Sequence, residues 1–143
     1  MKNMSGETRP FKLLVAARAV AEQFQRESKM TKNEILQLSS KAKEFKNGGN
    51  KLIGSDVEAA VTEYNEGIQI CPMSDTETRV ALFSNISECY SRLKTKFAEY
   101  PEKSSYYNKL IIKYATRTQA IQWQHGKTLW KRGKAFLDEK LWK

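Results

Sequence analysis

The sequence predicts an all-α fold of antiparallel helical hairpins. Helix-start motifs recur along the chain, and apolar residues repeat at helical spacing, whereas no convincing strand-like alternation occurs. Only three prolines and seven glycines interrupt the 143 residues, 40% of which are hydrophobic. This is the composition of a folded protein, and the length suits one domain with its own hydrophobic core.

Six helices are predicted, and the short polar connections between them favour antiparallel pairs. Their approximate ranges are 11–28, 32–53, 56–70, 77–95, 103–121 and 125–141. The first helix belongs to an N-terminal extension, residues 1–31, and the others form a helical domain, residues 32–143. The extension is amphipathic and carries Phe11, Leu14, Val15, Arg18 and Phe24. We interpret its helix as a cover for the open end of the helical array, with a membrane-surface helix as the alternative.

Local sequence marks four of the helix starts. A capping box, in which a hydroxyl and a carboxylate satisfy backbone amides, is predicted at Thr31–Glu34, Ser55–Glu58 and Ser74–Glu77. Pro101 marks a fourth start, because its fixed φ suits the first turn of a helix. The pair Gly48-Gly49 is predicted to lie inside a helix, at a cost of about 1 kcal/mol per glycine, because the apolar residues around it keep a helical phase.

The composition excludes several classes of protein. No apolar run reaches the roughly 18 to 20 residues of a membrane-spanning helix, and the N-terminus lacks the pattern of a secretory signal, so a cytoplasmic or nuclear location is expected. Cys71 and Cys89 are too few for a disulfide framework and are predicted to be buried. His125 is the only histidine and has no partner in a catalytic motif, and no glycine-rich phosphate loop occurs. We therefore expect no metal, no cofactor and no enzymatic activity.

A small residue is followed three positions later by a large apolar residue at several places in the sequence. This spacing occurs at Gly49 and Leu52, at Ser87 and Tyr90, and at Gly133 and Phe136. The small residue lets a second helix approach closely, and the large residue fills the space between neighbouring hairpins. The spacing therefore indicates a helical repeat.

Over about 100 residues this pattern resembles the tetratricopeptide-repeat family. The resemblance is clearest in the first repeat, where one residue is missing from the family spacing and Gly67 replaces the usual alanine. The matching positions there are Gly49, Leu52, Ala60, Tyr64 and Pro72. The stretch Lys127–Leu137 resembles the start of a third repeat in immunophilin-type and chaperone-organising co-chaperones, whereas the segment Lys94–His125 is longer than is usual in the family.

The resemblance implies a short right-handed superhelix of about two and a half repeats, preceded by an N-terminal helix. The third repeat would lack its second helix. Apolar side chains near the end of the chain are then expected to be exposed, namely Phe136, Leu141 and Trp142. Such a surface would allow self-association through the last helix.

The resemblance also implies a binding site. One subgroup of the family carries a dicarboxylate clamp, in which lysine, asparagine and arginine side chains on the inner helices hold a terminal carboxylate and an aspartate side chain. The positions of this clamp are occupied here by Lys46, Asn50, Asn85, Lys127 and Lys131. Lys46 and Asn50 are one helical turn apart and so share a face. Lys131 stands where arginine is more common, and the adjacent Arg132 is expected to point elsewhere.

The expected function is that of a co-chaperone-type adaptor that binds the acidic, Glu-Glu-Val-Asp-type tail of heat-shock protein 90 or heat-shock protein 70. Two alternatives remain open: a tetratricopeptide scaffold that binds an internal segment of another partner, and a basic helical protein associated with nucleic acid. The formal net charge of +9 agrees with any anionic partner. Trp123, Trp130 and Trp142 could stack on bases, but aromatic residues at helical spacing are more typical of a core. Nucleic acid is therefore the less favoured partner, and no membrane partner is expected.

Overall fold

The computed structural model describes residues 18–121 and 126–142, with side chains in the last helix described for residues 131–139. All regular secondary structure in this part of the chain is helical, which confirms the all-α class that the sequence predicts. The described part of α1 covers residues 18–28. The other helices are α2 (Lys32–Leu52), α3 (Val57–Ile70), α4 (Thr76–Lys96), α5 (Pro101–Ile121) and α6 (Gly126–Trp142).

The predicted ends of α2 to α6 agree with the structure to within two residues. Pro101 is the first residue of α5, and Gly48 and Gly49 lie inside α2, as predicted. The predicted start of α1 near residue 11 lies outside the described residues, as do Trp123, His125 and the side chains of Trp130 and Trp142. None of the helices within residues 18–121 and 126–142 combines the length and the hydropathy that a membrane-spanning helix needs.

The chain divides into two compact units, Met1–Leu36 and Gln37–Lys143. In the first unit, α2 begins at the predicted capping box. The Thr31 amide donates to Oε1 of Glu34 over 2.9 Å, and the Glu34 amide donates to Oγ1 of Thr31 over 3.1 Å. These hydrogen bonds hold the pKa of Glu34 below its usual value. On α1, the Phe24 side chain is exposed.

The capping boxes predicted at Ser55–Glu58 and Ser74–Glu77 are wrong by one residue. Asp56 caps α3 and Asp75 caps α4, and each carboxylate accepts the backbone N–H three positions later over 3.1 Å. An ionised aspartate beside a serine is the stronger cap, because its charge also interacts favourably with the amino end of the helix dipole.

The core of the second unit is organised around α4. This helix packs against α3, α5 and α6, and it contributes nine buried residues. The cysteines are buried in this core, which confirms their predicted role as small hydrophobic residues. The core residues are Ala42, Ala60, Tyr64, Cys71, Leu82, Phe83, Ile86, Cys89 and Tyr114.

The helices α2 and α3 approach closely at two glycines. A β-carbon at Gly49 would lie 2.4 Å from Cε1 of Tyr64, whose ring is fully buried against the α2 backbone. At Gly67 on α3, a β-carbon would lie 3.0 Å from Leu82 of α4 and 3.2 Å from Cβ of Phe45 on α2. The small residues therefore set the distances between these helices.

Gly133 does not have the packing role that its spacing predicts. It is exposed on α6, and no described atom lies within 4 Å of the position of its β-carbon. The physical reason is that the structure describes no further helix packed on this side of α6. Phe136 is 48% exposed, as predicted, whereas the side chains of Leu141 and Trp142 lie outside the described part of the chain.

A polar cluster joins α4, α5 and α6. Asn108 on α5 is buried, and its Nδ2 donates to the carbonyl of Ala135 on α6 over 2.5 Å. Its Oδ1 accepts from Nζ of Lys94 on α4 over 2.7 Å. Lys94 also pairs with Asp138 of α6, which Lys134 approaches to 3.4 Å. Because the amide of Asn108 is bonded on both sides, its burial carries little desolvation penalty.

We expect Gly49→Ala to destabilise the protein by about 1 to 3 kcal/mol, because the new methyl group overlaps the Tyr64 ring and forces α2 and α3 apart. The measurement is chemical denaturation followed by circular dichroism. Gly133→Ala is the matched control, since its methyl group meets no described atom and a helical alanine is favoured over glycine by up to about 1 kcal/mol. Equal effects of the two substitutions would contradict the packing argument.

Candidate functional site

The two asparagines predicted for the site contact each other. Oδ1 of Asn50 on α2 accepts a hydrogen bond from Nδ2 of Asn85 on α4 over 3.1 Å. The same oxygen accepts from the hydroxyl of Tyr64 over 2.6 Å. Both bonds use the oxygen of the Asn50 amide, so its nitrogen is the group that can donate to a ligand. Asn50 is exposed, which leaves that nitrogen accessible.

Tyr64 fixes the orientation of this amide. Its ring is buried between α2 and the core, and burial raises the pKa of its hydroxyl to about 12. The hydroxyl therefore stays protonated at neutral pH and donates to Asn50. The resemblance to tetratricopeptide repeats gave Tyr64 only as a matching position of the first repeat, so its hydrogen bond to Asn50 was missed.

Lys46 lies one turn before Asn50 on α2 and is half-buried. Residues four positions apart on a helix lie on the same face, so its side chain starts from the side of α2 that carries Asn50. From this face the flexible side chain of Lys46 can extend towards the two asparagines.

Lys131 on α6 reaches the site through a carboxylate that the sequence interpretation missed. Its Nζ lies 2.5 Å from Oε1 of Glu88 on α4. Glu88 is three positions after Asn85, so both side chains lie on the same face of α4. The structure thus brings Lys131 to the same side of α4 as Asn85. The spacing of Asn85 and Glu88 on one helix face was the signal that could have found this residue.

Arg92 is a second cation at Glu88. Its Nε lies 3.2 Å from Oε2 of Glu88, and its Nη1 donates to the carbonyl of Ile53 over 3.3 Å. That carbonyl lies just after the carboxyl end of α2, where a positive charge is favoured. Burial disfavours ionisation of Glu88, but the hydrogen bonds from Lys131 and Arg92 outweigh it and hold the pKa of this carboxyl below its usual value.

Two further basic residues of α6, Arg132 and Lys127, were considered for the site from the sequence. Arg132 is directed away from Glu88, because its Nε donates to Oγ1 of Thr116 on α5 over 2.9 Å and its guanidinium lies over the Phe136 ring. Arg132 therefore points away from Glu88, as expected from the sequence. The backbone of Lys127 lies in α6, one turn before Lys131, but its side chain is outside the described residues.

A groove between α4 and α6 continues from the site. Lys131 lines its wall together with two further lysines, Lys94 and Lys134, and three hydroxyl residues on α4 and α5, Ser91, Thr95 and Ser104. Lysine ammonium groups therefore continue from the site along the groove, where Asp138 pairs with Lys94 and Lys134. In residues 18–121 and 126–142, no acidic, cysteine or histidine side chains are grouped so as to hold a metal ion.

No protein-family model, curated protein or solved structure matches this chain. The likeness to tetratricopeptide repeats therefore depends on the residues quoted from the sequence. What the structure adds is an all-helical fold and the juxtaposition of Asn50, Asn85, Glu88 and Lys131.

We expect Tyr64→Phe to lower the free energy of unfolding at neutral pH by about 1 kcal/mol, because Asn50 loses the stronger of its two donors. Tyr106→Phe is the control, since Tyr106 is 60% exposed and its ring is kept. The control is expected to change stability by less than about 0.5 kcal/mol.

The difference in stability between the wild-type protein and Tyr64→Phe should depend on pH. The folded-state pKa of Tyr64 is raised from 10.0 to about 12, so the stability it contributes is complete below pH 10 and is lost as the pH rises towards 12. The stability difference between the wild-type protein and Tyr64→Phe should therefore narrow over this range. Chemical denaturation of both proteins at several alkaline pH values measures this difference. A difference that stays constant would contradict the raised pKa of Tyr64.

Proposed function

We propose that this protein is a non-enzymatic interaction module that binds the acidic carboxyl-terminal tail of another protein. The observation that carries the proposal is the hydrogen bond between Asn50 and Asn85, which joins amide groups of two helices at one point of the surface. Lys46 and Lys131 contribute ammonium groups to the same side of the molecule. Lys127, one turn before Lys131, is proposed as the fifth donor.

The ligand that suits these groups best ends in aspartate, because such a residue presents two carboxylates at the end of the chain. Ammonium groups form charge-assisted hydrogen bonds with carboxylates, and amide nitrogens supply further donors without added charge. Each bond to a charged group contributes about 1.5 to 3 kcal/mol, so a few suffice for a short peptide. We propose a Glu-Glu-Val-Asp-type tail of heat-shock protein 90 or 70 as this ligand.

The arrangement of the second unit supports a tetratricopeptide-type organisation as part of the proposal. The pairs α2 with α3 and α4 with α5 would form two repeats, and α6 would be the first helix of a third. Contacts of Asn50 with Asn85 and of Glu88 with Lys131 connect α2, α4 and α6 in that order. This is the order expected when the first helices of successive repeats line one surface.

Isothermal titration calorimetry with a peptide ending in Glu-Glu-Val-Asp tests the proposal. We expect the free-acid peptide to bind and its C-terminally amidated form to bind at least about tenfold more weakly, because amidation removes one of the two carboxylates. Equal affinities would instead favour a scaffold that binds an internal segment. Absence of binding by both peptides would contradict the proposal.

Substitutions at the site should weaken peptide binding without unfolding the protein. We expect Lys46→Ala and Asn85→Ala each to raise the dissociation constant by about tenfold to a hundredfold, because each removes a donor to a carboxylate. Lys41→Ala is the control for Lys46→Ala, since it makes the same charge change at an exposed position on another face of α2. A similar loss of affinity in Lys41→Ala would show that only the overall charge matters.

A further inference from the structure

Glu88 occupies the position in the site at which a ligand carboxylate would meet Lys131. Its Oε1 lies 2.5 Å from Nζ of Lys131, and its Oε2 lies 3.2 Å from Nε of Arg92. Each oxygen of the carboxylate is therefore bound by one cation. The protein supplies from its own chain the same chemical group that the proposed ligand supplies.

The contact between Glu88 and Lys131 is shielded from solvent on the lysine side. The Lys131 side chain is only 11% exposed, and that of Glu88 is 27% exposed. A second carboxylate that approached the ammonium of Lys131 would lie next to Glu88 and be repelled by its charge. A ligand carboxylate can therefore pair with Lys131 only if the ion pair between Lys131 and Glu88 breaks.

The neighbouring arginine makes this exchange feasible. Arg92 is held by the Ile53 carbonyl at the end of α2 as well as by Glu88, so it stays beside Glu88 when Lys131 leaves. Glu88 then keeps one cation and is not left as an unpaired, half-buried charge. Lys131 has a long and flexible side chain, which allows its ammonium to turn from Glu88 to a ligand.

We propose that Glu88 is an internal competitor that sets the affinity of this site by holding Lys131 in the absence of the peptide. This inference rests on the proposed function, because it takes the acidic carboxyl-terminal tail as the ligand that displaces Glu88. Glu88 is thus an affinity-determining residue of the site, and it acts on the ligand through Lys131.

The test compares the peptide affinities of the wild-type protein, Glu88→Gln and the control Glu66→Gln. Glutamine keeps the size of the side chain and removes its charge, so Glu88→Gln should bind the Glu-Glu-Val-Asp peptide about tenfold more tightly. Glu66 is exposed on α3, and Glu66→Gln makes the same change in net charge away from Lys131. We expect its affinity to stay within about twofold of the wild type.

A double-substitution cycle then shows whether Glu88 acts through Lys131. In a Lys131→Met background, Glu88→Gln should give little further gain in affinity, because the cation for which Glu88 and the peptide compete is absent. A gain that persisted unchanged would mean that Glu88 only repels the peptide, which would overturn the competition with Lys131. Circular dichroism confirms that each variant is folded before its affinity is measured.

The outcomes separate this inference from the proposed function. If the wild-type protein binds the peptide and Glu88→Gln binds it equally or more weakly, Glu88 positions Lys131 instead of competing for it, and the inference alone fails. If neither protein binds the peptide, the proposed function fails and the inference fails with it.

Discussion

The close approach of α2 and α3 at Gly49 is the constraint on which the site depends. Since Gly49 has no β-carbon, the ring of Tyr64 lies against the helix backbone, and its hydroxyl reaches the side chain of the next residue, Asn50. That hydrogen bond occupies one lone pair of the Asn50 oxygen, and Asn85 of α4 takes the other. One packing contact thus fixes the spacing of two helices, the orientation of an amide and the link to a third helix.

A separate set of polar contacts holds the other side of the site. Asn108 is buried and joins Lys94 of α4 to the Ala135 carbonyl of α6. Ala135 is one turn after Lys131, so these bonds fix the part of α6 that faces Glu88. Removal of the Asn108 amide would take one donor from the Ala135 carbonyl and one acceptor from the Lys94 ammonium, a penalty of about 1 to 3 kcal/mol. The position of Lys131 at Glu88 is therefore set by contacts on the next turn of the helix.

The helices could be predicted from the sequence, but the contacts between their side chains could not. The helical ranges follow from apolar spacing and from local signals such as Pro101, which depend on neighbouring residues only. The caps of α3 and α4 were displaced by one residue, because a serine and an aspartate stand side by side and pattern matching does not weigh their strengths as acceptors. The pairing of Glu88 with Lys131 joins residues of two helices, and it depends on how those helices are rotated about their axes. No local spacing specifies that rotation.

The charge of the whole protein and the charge at the site have different consequences. A net charge of +9 attracts any anionic partner at long range, and salt screens this attraction over roughly 10 Å. At the site, by contrast, Glu88 is bound by Lys131 and Arg92, and Asp138 is bound by Lys94 and Lys134, so two carboxylates already neutralise part of the local cationic charge. Selection of the proposed acidic peptide at this surface would therefore depend less on total charge than on the geometry of the donor groups. The amides of Asn50 and Asn85 carry no charge, and hydrogen bonds fix their directions. In the proposed function they would therefore supply the part of recognition that nonspecific attraction to a basic surface does not.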